Sequence, residues 1–230
     1  MKYLRYLSFF LLPVVLNSPF LHGQTKVVTV GNTADAEPSF FTALQGFLAS
    51  ADEQTILIIN GDLTDHGCHD QHRDHDFSHL QLLLEVIKAN PQITSYLLPG
   101  DRDWASSGKI GWECVKALED YIEDQDIDNL RWTLDQGCPG PDVEELSSST
   151  LLVTLNTQWW NHPHRKPTPA DAVCDYSEPS IVMEEIHDAV EENLDKNIII
   201  AGHFPLASQG RYGGEFPIID HFSPPILGSF

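Results

Sequence analysis

The sequence predicts an α/β fold of layered type, and three observations carry that expectation. Short apolar runs rich in β-branched residues alternate with segments whose apolar residues recur every three or four positions. Four of the runs close on a glycine and a polar residue: Val30-Gly31-Asn32, Asn60-Gly61-Asp62, Pro99-Gly100-Asp101 and Ala201-Gly202-His203. One run, Thr55–Asn60, holds four consecutive apolar residues, so it reads as a strand buried on both faces.

Taken in order, Lys26–Val30 is the first expected strand, ending at Gly31-Asn32. A helix is expected over Pro38–Ala49, with Pro38 in its first turn and Phe41, Leu44 and Leu48 on one face. The second strand, Thr55–Asn60, leads into a tract dense in His66, His69, Asp70, His72, Asp74, His75, Asp76 and His79. Such a tract can bind metal, but only His75 and His79 have a clean ligand spacing. A solvated polar loop entering a helix over Leu80–Ala89 is the simpler reading. Ile93–Leu98 is the third expected strand, followed by Pro99-Gly100-Asp101-Arg102-Asp103-Trp104 and a helix over Ile110–Glu123. The acidic stretch after that helix has no clear period, and Gly137-Cys138-Pro139-Gly140-Pro141 reads as loop. Leu151–Thr157 is the fourth strand, ending in Gln158-Trp159-Trp160, where adjacent indoles suit core packing or the wall of a site. A proline-rich loop over Asn161–Ser180, a helix over Ile181–Leu194 and a fifth strand over Asn197–Ile200 complete the pattern, with loop expected from Pro205 onward.

The chain has 230 residues, enough for one well-buried core. Its net charge of −21, with thirteen basic residues that form no stripe, argues against nucleic-acid binding. Lys2 and Arg5 precede the short apolar segment Leu7–Leu16, the pattern of a secretory signal over residues 1–23, with the folded domain over residues 24–230. No later segment is apolar enough to span a membrane. A secreted or periplasmic protein is expected. In that setting Cys68, Cys114, Cys138 and Cys174 imply two disulfides, with three connectivities open. Cys138 and Cys174 lie in polar loops flanking one expected strand, which favours that pair and leaves Cys68 with Cys114.

Asn32, Asp62, Asp101 and His203 fall at strand ends on one expected sheet edge, where open α/β sheets bind ligands. Carboxylate, imidazole and amide together suit a divalent ion of the Fe, Mn or Zn class better than magnesium or calcium. A Gly-Asp pair after a strand also makes a simple tight turn. Four glycine–polar pairs at strand ends in one chain, two of them Gly-Asp, favour the metal reading. The chain has no Gly-x-Ser-x-Gly elbow, P-loop or dinucleotide fingerprint.

These residues resemble the calcineurin-like metallophosphoesterases, specifically the secreted branch similar to purple acid phosphatases. The resemblance rests on Gly31-Asn32, Gly61-Asp62-Leu63-Thr64-Asp65, Gly100-Asp101-Arg102-Asp103-Trp104 and Gly202-His203-Phe204-Pro205. Cys138-Pro139-Gly140-Pro141 and Asn156-Thr157-Gln158-Trp159-Trp160 add to it, and it covers essentially the whole chain from Val27. It implies two sheets sandwiched between helices and a two-metal centre that hydrolyses phosphate esters, of small molecules or of proteins. Asp62 matches the carboxylate that bridges the metals and His203 a ligand of the second metal. Asn32 stands where the first metal's carboxylate belongs, Asp101 where the second metal's Asn belongs, and Arg102 in place of the His that assists the substrate.

The departures have consequences. Arg102 does not give up a proton near neutral pH, so it cannot act as general acid, although its fork suits phosphate oxygens. The family's late Gly-His-x-His, with further strands of the second sheet, does not follow Gly202 in this sequence. The second sheet is therefore expected to be incomplete, and one divalent ion is expected at Asp62, Asp101 and His203 rather than two. The sequence reads as an exported metallophosphoesterase with impaired turnover. Its alternative is a degenerate secreted relative that acts as a binding or interaction protein.

Overall fold

A computed structural model describes residues 25–52, 54–65 and 77–205. Four parallel strands form a first sheet in sequence order: β1 (Lys26–Val30), β2 (Thr55–Asn60), β3 (Thr94–Leu98) and β4 (Leu130–Trp132). Helices connect them: α1 (Pro38–Ala49), α2 (Ser78–Lys88) and α3 (Gly111–Glu123). The second sheet has three strands among the described residues, β5 (Asp142–Ser147), β6 (Thr150–Leu155) and β7 (Asn197–Gly202). β5 and β6 form an antiparallel hairpin, while β6 and β7 run parallel. A single turn, α4 (Thr157–Asn161), and the helix α5 (Pro179–Glu191) connect β6 to β7. The expected α/β layered sandwich is the fold observed.

The period-two alternation of the strands explains the layers. In β2, Leu57 and Ile59 join Leu44 and Leu48 of α1 and Leu80, Leu83 and Ile87 of α2 in one apolar cluster. Ile56 and Ile58, on the opposite face, pack instead with Tyr96 and Leu98 of β3 and with Leu152 and Ala201 of the second sheet. β2 is thus buried on both faces, as its uninterrupted apolar run requires. A third cluster joins Trp104, Trp112, Val115 and Trp159 beside the β3–α3 loop. Trp159 is core, with its indole N–H donating to the Pro167 carbonyl at 3.0 Å, and only Trp160 reaches the surface.

Two strands escape the sequence pattern. The acidic stretch after α3 holds β4, and the segment after Pro141 holds β5, whose residues are mostly exposed or half-buried. Both lie at sheet edges, where backbone pairing suffices and side chains need not be apolar. The fourth expected strand is the sixth, and it stops at Leu155 because Asn156 caps α4, accepting the Trp159 amide at 3.0 Å.

Cys138 and Cys174 form the disulfide favoured by the sequence, with Cα atoms 5.7 Å apart. Cys114 is also disulfide-bonded. Its expected partner Cys68 lies outside the described residues, as do the leader expected over residues 1–23, the tract from His66 to Asp76 and the stretch after Pro205. His79 belongs to α2, where its ring stacks on Phe41 at 6.1 Å. No helix among the described residues is long and apolar enough to cross a membrane.

Candidate metal centre

Parallel pairing puts the carboxyl ends of β1, β2 and β3 on one edge, and the glycine after each strand turns the chain there. The loops after β2 and β3 touch. A Cβ on Gly61 would run into the Gly100 backbone, and Gly61 also holds φ +79. A Cβ on Gly100 would strike the amide and Oδ1 of Asp62. Only glycine at both positions allows this approach. Asp62 itself adopts φ 55, a left-handed conformation that Asp and Asn tolerate better than most residues.

Asp103 holds the two loops in that contact. Its buried carboxylate accepts the amide hydrogens of Gly100 at 2.8 Å, Leu63 at 3.0 Å and Thr64 at 2.9 Å, and the Thr64 hydroxyl at 2.9 Å. Burial pushes its carboxyl up to about 6, against the pull of those backbone donors. Asp103 lies two residues beyond Asp101, and sequence reasoning gave it no role. The second acid in Gly-Asp-Arg-Asp was the available signal.

β7 brings the third ligand from the other sheet. His203 Nδ1 lies 2.8 Å from the Asn60 carbonyl oxygen, which can only accept, so Nδ1 carries the proton. Its Nε2 faces Asp101 Oδ1 at 3.0 Å and Asp62 Oδ1 at 3.5 Å. Ligand atoms of Asp62, Asp101 and His203 lie within 4.8 Å of one another. A backbone carbonyl that fixes the far nitrogen of an imidazole is a recurrent support for a metal-ligating histidine. Burial raises the Asp62 carboxyl, whereas the hydrogen bond from His203 lowers that of Asp101. Burial works against charge on His203, but Asp101, the Asn60 carbonyl and Asp62 together push it up to about 9. Two carboxylates and one oriented imidazole, partly withdrawn from water, fit a first-row divalent ion.

Arg102 and Asn32 belong to the adjoining half of the edge. The Arg102 amide donates to Asp62 Oδ1 at 3.2 Å. Its guanidinium meets Asp35 Oδ2 at 2.8 Å, Asp65 Oδ1 at 3.3 Å and Asp62 Oδ2 at 3.7 Å. The bond from Arg102 holds the Asp35 carboxyl below the usual range. The Asn32 side chain donates to the same Asp35 oxygen at 3.2 Å. Asp35 and Asp65 were not singled out from sequence. Nothing local marks an exposed acid as the partner of an arginine 37 residues away, as for Asp65, or still further along the chain, as for Asp35.

No family profile matches the chain. It is similar to a protein of Rhodococcus erythropolis described as a probable cyclic nucleotide phosphodiesterase, 25% identical over 210 residues. The similarity covers 83% of this chain, and the chain spans 65% of the length of that relative. No solved structure matches.

Proposed function

We propose that this chain is an exported phosphoesterase of the calcineurin-like metallophosphoesterase family, in the secreted branch similar to purple acid phosphatases. It takes a phosphate ester of a small molecule or a protein as substrate, and not nucleic acid. One observation carries the reading: Asp62, Asp101 and His203, from two different sheets, converge within 4.8 Å at the carboxyl edge of the strands. The likeness to a relative described as a phosphodiesterase supports a hydrolase of this class. Export is supported by the basic and apolar leader and by the Cys138–Cys174 disulfide, since such bonds persist in oxidising compartments.

In this reading Asp62, Asp101 and His203 hold one divalent ion of the Fe, Mn or Zn class, with Asn32 at most a weak further ligand. A divalent ion in such a site polarises a phosphoryl oxygen and makes water a nucleophile near neutral pH. The chain's own groups supply placement: the Asn60 carbonyl orients His203, and Asp103 fixes the loops that carry Asp62 and Asp101. Arg102 contributes fixed positive charge beside the site and no transferable proton. Without a general acid, turnover falls by about 10²–10⁴-fold.

The engagement of Arg102 by carboxylates favours a second reading, a secreted binding protein that keeps the ion and has lost catalysis. Purified protein saturated with Mn²⁺, Zn²⁺ or Fe²⁺ and assayed on aryl phosphate mono- and diesters separates the two. The enzyme reading expects slow turnover, abolished by Asp62→Ala. Metal bound without any turnover selects the binding protein.

A further inference from the structure

Asp62 divides its carboxylate between two partners. Oδ1 faces His203 Nε2 at 3.5 Å on the side of Asp101, while Oδ2 faces Arg102 Nε at 3.7 Å. On that second side the guanidinium is anchored from two further directions, by Asp35 at 2.8 Å and Asp65 at 3.3 Å. Three carboxylates around one cation are the surroundings a divalent ion would otherwise need. The guanidinium meets Asp35 and Asp65 at hydrogen-bond distance and Asp62 as a longer ion pair, and it cannot be deprotonated or lost to a chelator.

We infer that Arg102 is a built-in cation that occupies the second half of the centre, so that Asp62 bridges one exchangeable metal ion and one permanent guanidinium. The inference rests on the metal reading above and deepens it. The backbone favours the arrangement. The Arg102 amide donates to Asp62 Oδ1, and Asp101 and Asp103 on either side are held by His203 and by the β2 loop. The side chain therefore starts from a fixed point next to Asp62. Asn32 fits the same account. Its neutral amide donates to Asp35 and adds no charge to a half whose carboxylates already have their cation. A second divalent ion entering there would meet a positive charge within contact distance of the described carboxylates Asp35, Asp62 and Asp65, and Coulomb repulsion at that range is large in a partly buried site.

Equilibrium dialysis with Mn²⁺, read by elemental analysis and by the electron-spin spectrum of the bound ion, tests this. The wild-type chain is expected to bind one Mn²⁺ with the spectrum of an isolated ion, even in excess metal. Arg102→Gln and Arg102→Met, both neutral and of similar length, are expected to raise the count to two and to give the spectrum of a coupled pair. Arg102→Lys, which keeps the charge, stays at one. Two ions in the wild-type chain overturn the inference, and this arm needs no variant to fold. One ion in both neutral variants, with unfolding curves that remain cooperative, overturns it as well. No Mn²⁺ bound by a folded wild-type chain overturns the metal reading itself.

Discussion

One carboxylate oxygen of Asp103 takes both the amide and the hydroxyl hydrogen of Thr64, each at 2.9 Å, across 39 residues of sequence. This pairing ties the loop after β2 to the loop after β3. It works beside the Leu63 amide on the same carboxylate, the Arg102 amide on Asp62 and the close approach of Gly61 to Gly100. It also accounts for a buried carboxylate whose ionisation is opposed by its surroundings.

Replacing Asp103 by Ala leaves the buried amides of Gly100, Leu63 and Thr64 without their acceptor. Each orphaned donor costs about 1–3 kcal/mol, so a total loss of about 3–9 kcal/mol is expected. Thr64→Val removes only the hydroxyl bond and should cost about 1–2 kcal/mol. Urea unfolding of the two variants at pH 7 measures both, and equal losses would contradict the assignment of Asp103 as the common anchor.

Metal removal should read out as stability. An ion at one hundred times its dissociation constant stabilises the folded chain by about 2.7 kcal/mol. Thermal unfolding should therefore rise with added Mn²⁺ and fall back with a chelator. His203→Ala, which removes the only described nitrogen ligand of the cluster, is expected to lose that response.

Gly100→Ala tests the close approach of the loops. The added methyl meets the Asp62 amide and Oδ1, and His203 Cε1 at 2.9 Å, so the ligand set must spread. Stability should drop by about 1–3 kcal/mol, the usual cost of overpacking. Metal binding should weaken more than the fold does. A melting curve compared with a Mn²⁺ titration distinguishes the two effects.

Glu119 gives a pH signature away from the centre. It is buried in α3, its Oε2 accepts the Gln136 amide at 2.7 Å, and burial with nearby Asp135, Glu123 and Asp120 pushes it up to about 7 from 4.5. The folded state therefore holds this proton more tightly than the unfolded state. Its contribution is fully present below pH 4.5 and is lost as pH rises through about 7. Glu119→Gln should be more stable than wild type at pH 8, by on the order of 2–3 kcal/mol, with the advantage vanishing near pH 4. Unfolding free energies of both proteins across that range check the sign.

The strands and helices with strong periods were legible, among them β1, α1 and the double burial of β2. β4 and β5 were not, because edge strands are stabilised by backbone pairing and leave a weak apolar signature. Likewise Trp159 could be placed in the core or in a site wall only once the indoles of Trp104 and Trp112 were beside it.

By itself the sequence determined which residues stand at strand ends. An apolar run, a glycine and a polar side chain form a local signal, and Asp62, Asp101 and His203 all carry it. Tertiary structure alone decided how they share charge. His203 reaches the Asn60 carbonyl across 143 residues, and the Asp62 carboxylate turns one oxygen to it and the other to Arg102. Partnership among charges depends on angstrom-scale distances between chain segments remote in sequence. The contact of Gly61 with Gly100 sets those distances, and no local pattern records it.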